Sequence, residues 1–266
     1  MPLRLGVVSY LNSIPLFRSL QDRSDVEIIE RVPAELTDLL TTGAVDVALL
    51  PLFEYFRGIG EALIPGVSIA SQGPVQSVAL FLKKPMSEVR SLAADRASRS
   101  SVALLKVLLA ERWARSVNLT LRRAELGVML ASFDAALIIG DAALRAQRQG
   151  GFAESVDLGA EWTRWTKLPF VYAAWTTRAG LDAGQFNELT ERLNAARDQG
   201  YEMLDLIARE QEGRGGLDRD GIIGYLTENI QTSFDEPFQA GAREFGRYCL
   251  RHSLLSAPRA MRFSAD

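Results

Sequence analysis

Hydroxyl and amide side chains, with one arginine, make up the chemistry this sequence gathers at defined places. Asp95-Arg-Ala-Ser-Arg-Ser-Ser101 sets Ser98, Ser100 and Ser101 around Arg99 at the start of a helix with Val102, Leu105, Leu109 and Trp113 along one face. Helix amino termini present free N–H groups and a partial positive charge, so a carboxylate is a natural guest there. The same serines also suit simple capping. Ser9 and Asn12 follow an apolar first strand, and Gly140 and Asp141 follow a later one. Each reads as a cap or turn, or as a group facing a ligand beyond the strand ends. Ser77 falls inside a long predicted strand, where serine is a poor strand former and its hydroxyl needs solvent, a partner or a cleft.

The missing residue types narrow the chemistry. One histidine, His252, and one cysteine, Cys249, exclude a multi-histidine metal site and an intrachain disulfide. His252 lies in the last predicted helix, far from any serine of interest, and reads as structural. There is no phosphate loop, and Gly66-Val-Ser-Ile-Ala70 departs from a nucleophile elbow at its final position. Lys and Arg number 30 against 33 Asp and Glu, a net charge of -3, which offers no basic field to nucleic acid. No run approaches the roughly 18 apolar residues of a membrane span. Residues 3–11 are too short and too interrupted for a signal-peptide core, so the expected location is the cytoplasm.

These residues must be carried by an alternating α/β chain. Apolar runs predict strands over 3–8, 26–31, 45–50, 89–94 and 134–139. Helices are predicted over 33–40, 51–56, 100–114, 126–131 and 140–147. That alternation implies parallel sheets with right-handed crossovers. Two long strands, 74–82 and 169–177, break the rhythm and suggest hinges. Helices over 183–199, 200–211, 220–229 and 236–252 complete the chain. The layout predicts two lobes with a discontinuous first lobe, residues 1–82 plus 172–266, and a second lobe of residues 83–171, with a cleft between them.

Six stretches then carry a family resemblance over about residues 3–250. Val8-Ser-Tyr-Leu-Asn-Ser-Ile-Pro-Leu16, Gly73-Pro-Val-Gln-Ser-Val78, Asp95 to Ser101, Ile139-Gly-Asp-Ala-Ala-Leu144, Asp157-Leu-Gly-Ala-Glu-Trp162 and Leu168-Pro-Phe-Val-Tyr-Ala173 resemble the chorismate dehydratases of the futalosine route to menaquinone. Lys167 stands where that family has glycine, and Leu52 where it has serine. The resemblance implies the two-lobed fold of type II periplasmic binding proteins. It implies a lyase that converts chorismate to 3-[(1-carboxyvinyl)oxy]benzoate and water, without a cofactor. Asn12 and Ser77 are the expected catalytic pair. Ser9, Gly73, Ser98, Arg99, Ser100, Ser101, Gly140 and Asp141 are the expected substrate-binding set. The expected partner is the small-molecule substrate, with no nucleic acid and no membrane; homo-oligomerisation is left open. Three competing readings are a non-catalytic binding protein for a small carboxylate, the sister enzyme 1,4-dihydroxy-6-naphthoate synthase, and the effector domain of a transcriptional regulator. No helix-turn-helix precedes the first strand, which weighs against the last.

Overall fold

A computed structural model describes residues 2–265. The first lobe opens as the apolar pattern predicts. Strand β1 (Leu3–Val7) leads into a 3-10 turn, Leu11–Leu16, followed by β2 (Val26–Glu30) and α1 (Pro33–Thr41). Pro33 sits at the first position of α1, where its missing N–H costs nothing. Next come β3 (Val47–Pro51), α2 (Leu52–Phe56) and β4 (Leu63–Ser71). The second lobe holds β5 (Val78–Leu82), β6 (Ser91–Asp95), α3 (Arg99–Glu111), β7 (Asn118–Arg122), α4 (Leu126–Ser132), β8 (Ala135–Ile139), α5 (Gly140–Gln149), β9 (Glu154–Asp157) and α6 (Leu158–Thr166). The chain then returns through β10 (Phe170–Thr177) and ends in α7 (Ala183–Glu202), α8 (Leu204–Glu210), α9 (Arg219–Gly224), a π-turn (Tyr225–Asn229) and α10 (Glu236–Arg251).

Each lobe is built on one five-stranded sheet. Their orders are β2-β1-β3-β10-β4 and β7-β6-β8-β5-β9. In the first, β1 pairs in parallel with β2 and β3, while β10 returns antiparallel between β3 and β4. In the second, β6 runs parallel to β7 and β8, and β5 is antiparallel to β8 and β9. Loops leaving the carboxyl ends of β1, β3, β6 and β8 therefore face one another across the space between lobes. One apolar cluster links the two sheets, from Leu5 and Leu49 through Trp162 to Leu80 and Leu104, with smaller clusters on the outer faces of the lobes.

Three sequence expectations change. Residues 74–77 are not strand. Gly73 (φ 116°) and Gln76 (φ 59°) take left-handed backbone, which breaks any ladder, and the strand begins only at Val78. The expected division put residues up to 82 in the first lobe, yet Val78–Leu82 pairs entirely within the second sheet. The second return starts at β10, so Phe170 and Val171 already pair with β4 of the first sheet. The long strand expected over 169–177 is present as β10, while the crossings themselves are the short irregular segments 72–77 and 167–169.

Helix α6 lies between these crossings and fastens the first of them. The Asp157 carboxylate caps α6 through Ala160 N–H (2.9 Å) and also accepts Val75 N–H (3.0 Å) and Gln76 N–H (2.6 Å). Burial pushes that carboxyl up, and the N–H donors oppose the shift. Thr163 Oγ1 accepts Gly73 N–H at 3.0 Å. Next to it, Trp162 donates its indole N–H to Pro169 O at 3.1 Å, in the second crossing.

Candidate active site

Asn12 is placed by the turn that follows β1. The buried Ser13 hydroxyl donates to the Tyr10 carbonyl at 2.7 Å and locks that turn, so Asn12 stands at the carboxyl end of the strand. Ser77 ends the first crossing; its carbonyl accepts Gly140 N–H at 2.7 Å, and its side chain is 1% exposed. Ser98, Arg99, Ser100 and Ser101 begin α3 at the carboxyl end of β6. All of these, with Gly140, line one crevice between the lobes.

Three expected binding residues stand elsewhere. Ser9 is exposed at the rim and bonds Glu30, because its side chain points away from the turn that Ser13 locks. Gly73 shapes the first crossing, with its N–H held by Thr163. Asp141 points behind the wall, where it accepts Leu11 N–H at 3.0 Å and pairs with Arg214 at 2.6 Å. Sequence reasoning also missed two wall residues. Tyr10 packs so closely over Gly140 that an added Cβ there would lie 2.7 Å from its ring, and Gly140 has φ 64°. Tyr172 bonds Ser71 Oγ at 3.1 Å across the floor. Both had been visible only as members of the quoted motifs.

The serine cluster does not cap its own helix through Ser98. That side chain makes no capping bond, and its Oγ is buried without a partner, as is Asn12 Oδ1. An unmet buried polar atom costs about 1–3 kcal/mol, so two of them facing one crevice mark a place for a polar guest. Ser100 instead accepts Phe53 N–H at 3.1 Å, capping α2 of the opposite lobe. Arg99 is the one charged side chain among the described residues that line the crevice. Its Nε lies 3.4 Å from Glu54, a carboxylate on α2 that also binds Arg57. Local charge is therefore compensated, and attraction for an anion comes from hydroxyls and the first N–H groups of α3. Burial, aided by Asp95 and Asp141, pushes Tyr10 up to about 12, so its phenol keeps its proton and can donate. Among the described residues no group of His, Cys, Asp or Glu gathers to hold a metal ion.

Contacts between the lobes beside the crevice include Ser100 on Phe53, Arg99 on Glu54, Tyr10 on Gly140, and Asp141 on Leu11 and Arg214. Asp141→Ala is expected to weaken the last by about 1–3 kcal/mol, the cost of losing a hydrogen bond to a charged group. The ligand-free protein should then open, with a larger radius of gyration in small-angle scattering. Identical scattering from parent and variant counts against a role for Asp141 in closure.

This geometry has relatives. A family model described as menaquinone biosynthesis matches residues 3–251. A protein of Thermus thermophilus named chorismate dehydratase is 31% identical over 261 residues, covering 92% of this chain and 94% of its own. The chain belongs to the menaquinone biosynthesis family. Solved structures agree on the fold. The periplasmic aliphatic sulphonate binding protein SsuA of Escherichia coli superposes with TM-score 0.64 at 15% identity, covering 97% of this chain and 94% of its own. A protein of Parabacteroides distasonis described as an ABC transporter gives TM-score 0.69 at 16% identity, covering 100% and 99%. The two-lobed fold expected from the sequence is thus that of periplasmic binding proteins. No helix among the described residues is long and apolar enough to cross a membrane.

Proposed function

We propose that this member of the menaquinone biosynthesis family is a hydro-lyase that converts chorismate to 3-[(1-carboxyvinyl)oxy]benzoate and water in the cytoplasm. The observation that carries the reading is the pair of buried, unpartnered atoms, Asn12 Oδ1 and Ser98 Oγ, on facing walls of one crevice at the start of α3. The relative named chorismate dehydratase supplies the substrate class.

In the reaction the C3–H electron pair becomes the C3–C4 π bond of an aromatic ring while the C4–O bond breaks. The C3 proton, taken first by the substrate's own enolpyruvyl carboxylate, ends on the departing oxygen as water. Aromatisation drives the step, so the protein's task is to hold one ring conformer and stabilise the leaving oxygen. The α3 amino terminus, with Ser98 and Ser101, receives a carboxylate. Asn12 and Ser77 lie at the reacting edge, and closure of the lobes excludes water. The test is to incubate purified protein with chorismate and follow the aromatic product by absorbance and mass. Steady turnover supports the reading. Binding of chorismate without product assigns a carboxylate-binding role instead, and neither binding nor turnover removes both.

A further inference from the structure

Tyr225 stands behind the crevice and takes no part in its lining, yet it holds Ser77 of the proposed reacting edge. The residue is 3% exposed and opens the π-turn Tyr225–Asn229. Its hydroxyl donates to Ser77 Oγ at 2.8 Å. At the other end of the turn, Asn229 accepts from Gln76 Nε2 at 2.9 Å and donates to Pro74 O at 3.1 Å. One π-turn therefore grips the crossing that carries Ser77 at both of its ends. A π-turn inside a helical run is rare and recurs at functional sites, because the extra residue re-aims side chains.

The direction of these bonds has a chemical result. With its oxygen accepting from Tyr225, Ser77 has its own proton left to give, and it lines the crevice. Asn12 Oδ1 lies on the same crevice, buried without a partner, and can only accept. We propose that Tyr225 is a positioning residue that sets Ser77 as the donor toward the substrate hydroxyl, leaving Asn12 Oδ1 as the acceptor. This rests on the dehydratase reading above. Burial raises the phenol well beyond its usual range, so it stays protonated and the direction of the Tyr225–Ser77 bond does not reverse near neutral pH. The arrangement suits a leaving hydroxyl, which must both give and receive a hydrogen bond.

The test is Tyr225→Phe, which deletes the hydroxyl and keeps the ring, alone and combined with Ser77→Ala. With chorismate as substrate, kcat is expected to fall about fivefold to tenfold, the loss typical of one orienting hydrogen bond. KM should stay within about twofold, as expected when ground-state binding is kept. In the Ser77→Ala background the second change should cost less than about twofold, because the hydroxyl acts through Ser77. An unchanged kcat in Tyr225→Phe overturns the proposal. So does a full multiplicative loss in the double variant, or a collapsed unfolding transition, either of which makes the hydroxyl a general structural support. A parent protein that fails to turn over chorismate overturns the dehydratase reading first, and this inference with it.

Discussion

Asn12→Ala and Ser77→Ala are each expected to reduce chorismate turnover at least tenfold, and toward the 10²–10³ that loss of one transition-state hydrogen-bond partner costs. Neither change should unsettle the fold. Asn12 Oδ1 has no partner to lose in the ligand-free protein, so its removal relieves an unmet buried atom instead of creating one. Ser77→Ala leaves the Tyr225 hydroxyl without its acceptor, a cost of about 1–3 kcal/mol set against the whole stability of a chain this size. Turnover and unfolding are thus separable, and both are measured on the same samples. Parent-like kcat/KM in both variants would remove these residues from the reaction.

Gly200→Ala should act the other way, on stability first. A Cβ at Gly200 would lie 1.8 Å from Pro15 O and 2.6 Å from Pro15 C, both backbone atoms of the turn that carries Asn12. No side-chain rotation relieves that contact, so α7 must move away from the turn. Overpacking of this kind costs about 1–3 kcal/mol or more, against the ~1 kcal/mol that alanine gains over glycine in a helix interior. The clash wins by about 2 kcal/mol at the upper end of that range, and Tm should fall by about 4–8 °C at roughly 2–4 °C per kcal/mol. Gly127→Ala on α4 is the control: nothing lies within 4 Å of its added Cβ, so helix propensity alone acts and Tm holds or rises slightly. Equal behaviour of the two variants would refute the packing argument.

Much of this architecture is legible in residue patterns, and the misses have physical causes. Strands β1, β3 and β8 are buried apolar runs and announce themselves. Strands β7 and β9 read Asn-Leu-Thr-Leu-Arg and Glu-Ser-Val-Asp; as sheet edges they are short and half-exposed, so no hydrophobic run marks them. In β4, Pro65-Gly66 reads as a turn, but an edge strand tolerates proline, and Gly66 takes φ 84° in a ladder whose register shifts. Helix α6 lacks a clear helical period of apolar residues; its buried Trp162 packs from a helix capped by Asp157. At the site, the serine and asparagine stretches stand out because they follow strands, and seven of the ten expected residues line the crevice. Ser9, Gly73 and Asp141 follow the same local rule, and only tertiary contacts turn them outward. Tyr225 carries no local signal at all, since its bond to Ser77 spans 148 positions of sequence.

Helix α6 gives the two lobes a common fulcrum. Asp157 at its cap and Thr163 within it hold one crossing, and Trp162, the residue before Thr163, reaches the other at Pro169. Both passages of the chain are therefore tethered to one helix, so a rotation of one lobe against the other pivots beside α6, and the walls that carry Asn12 and Ser98 hang from the same short support.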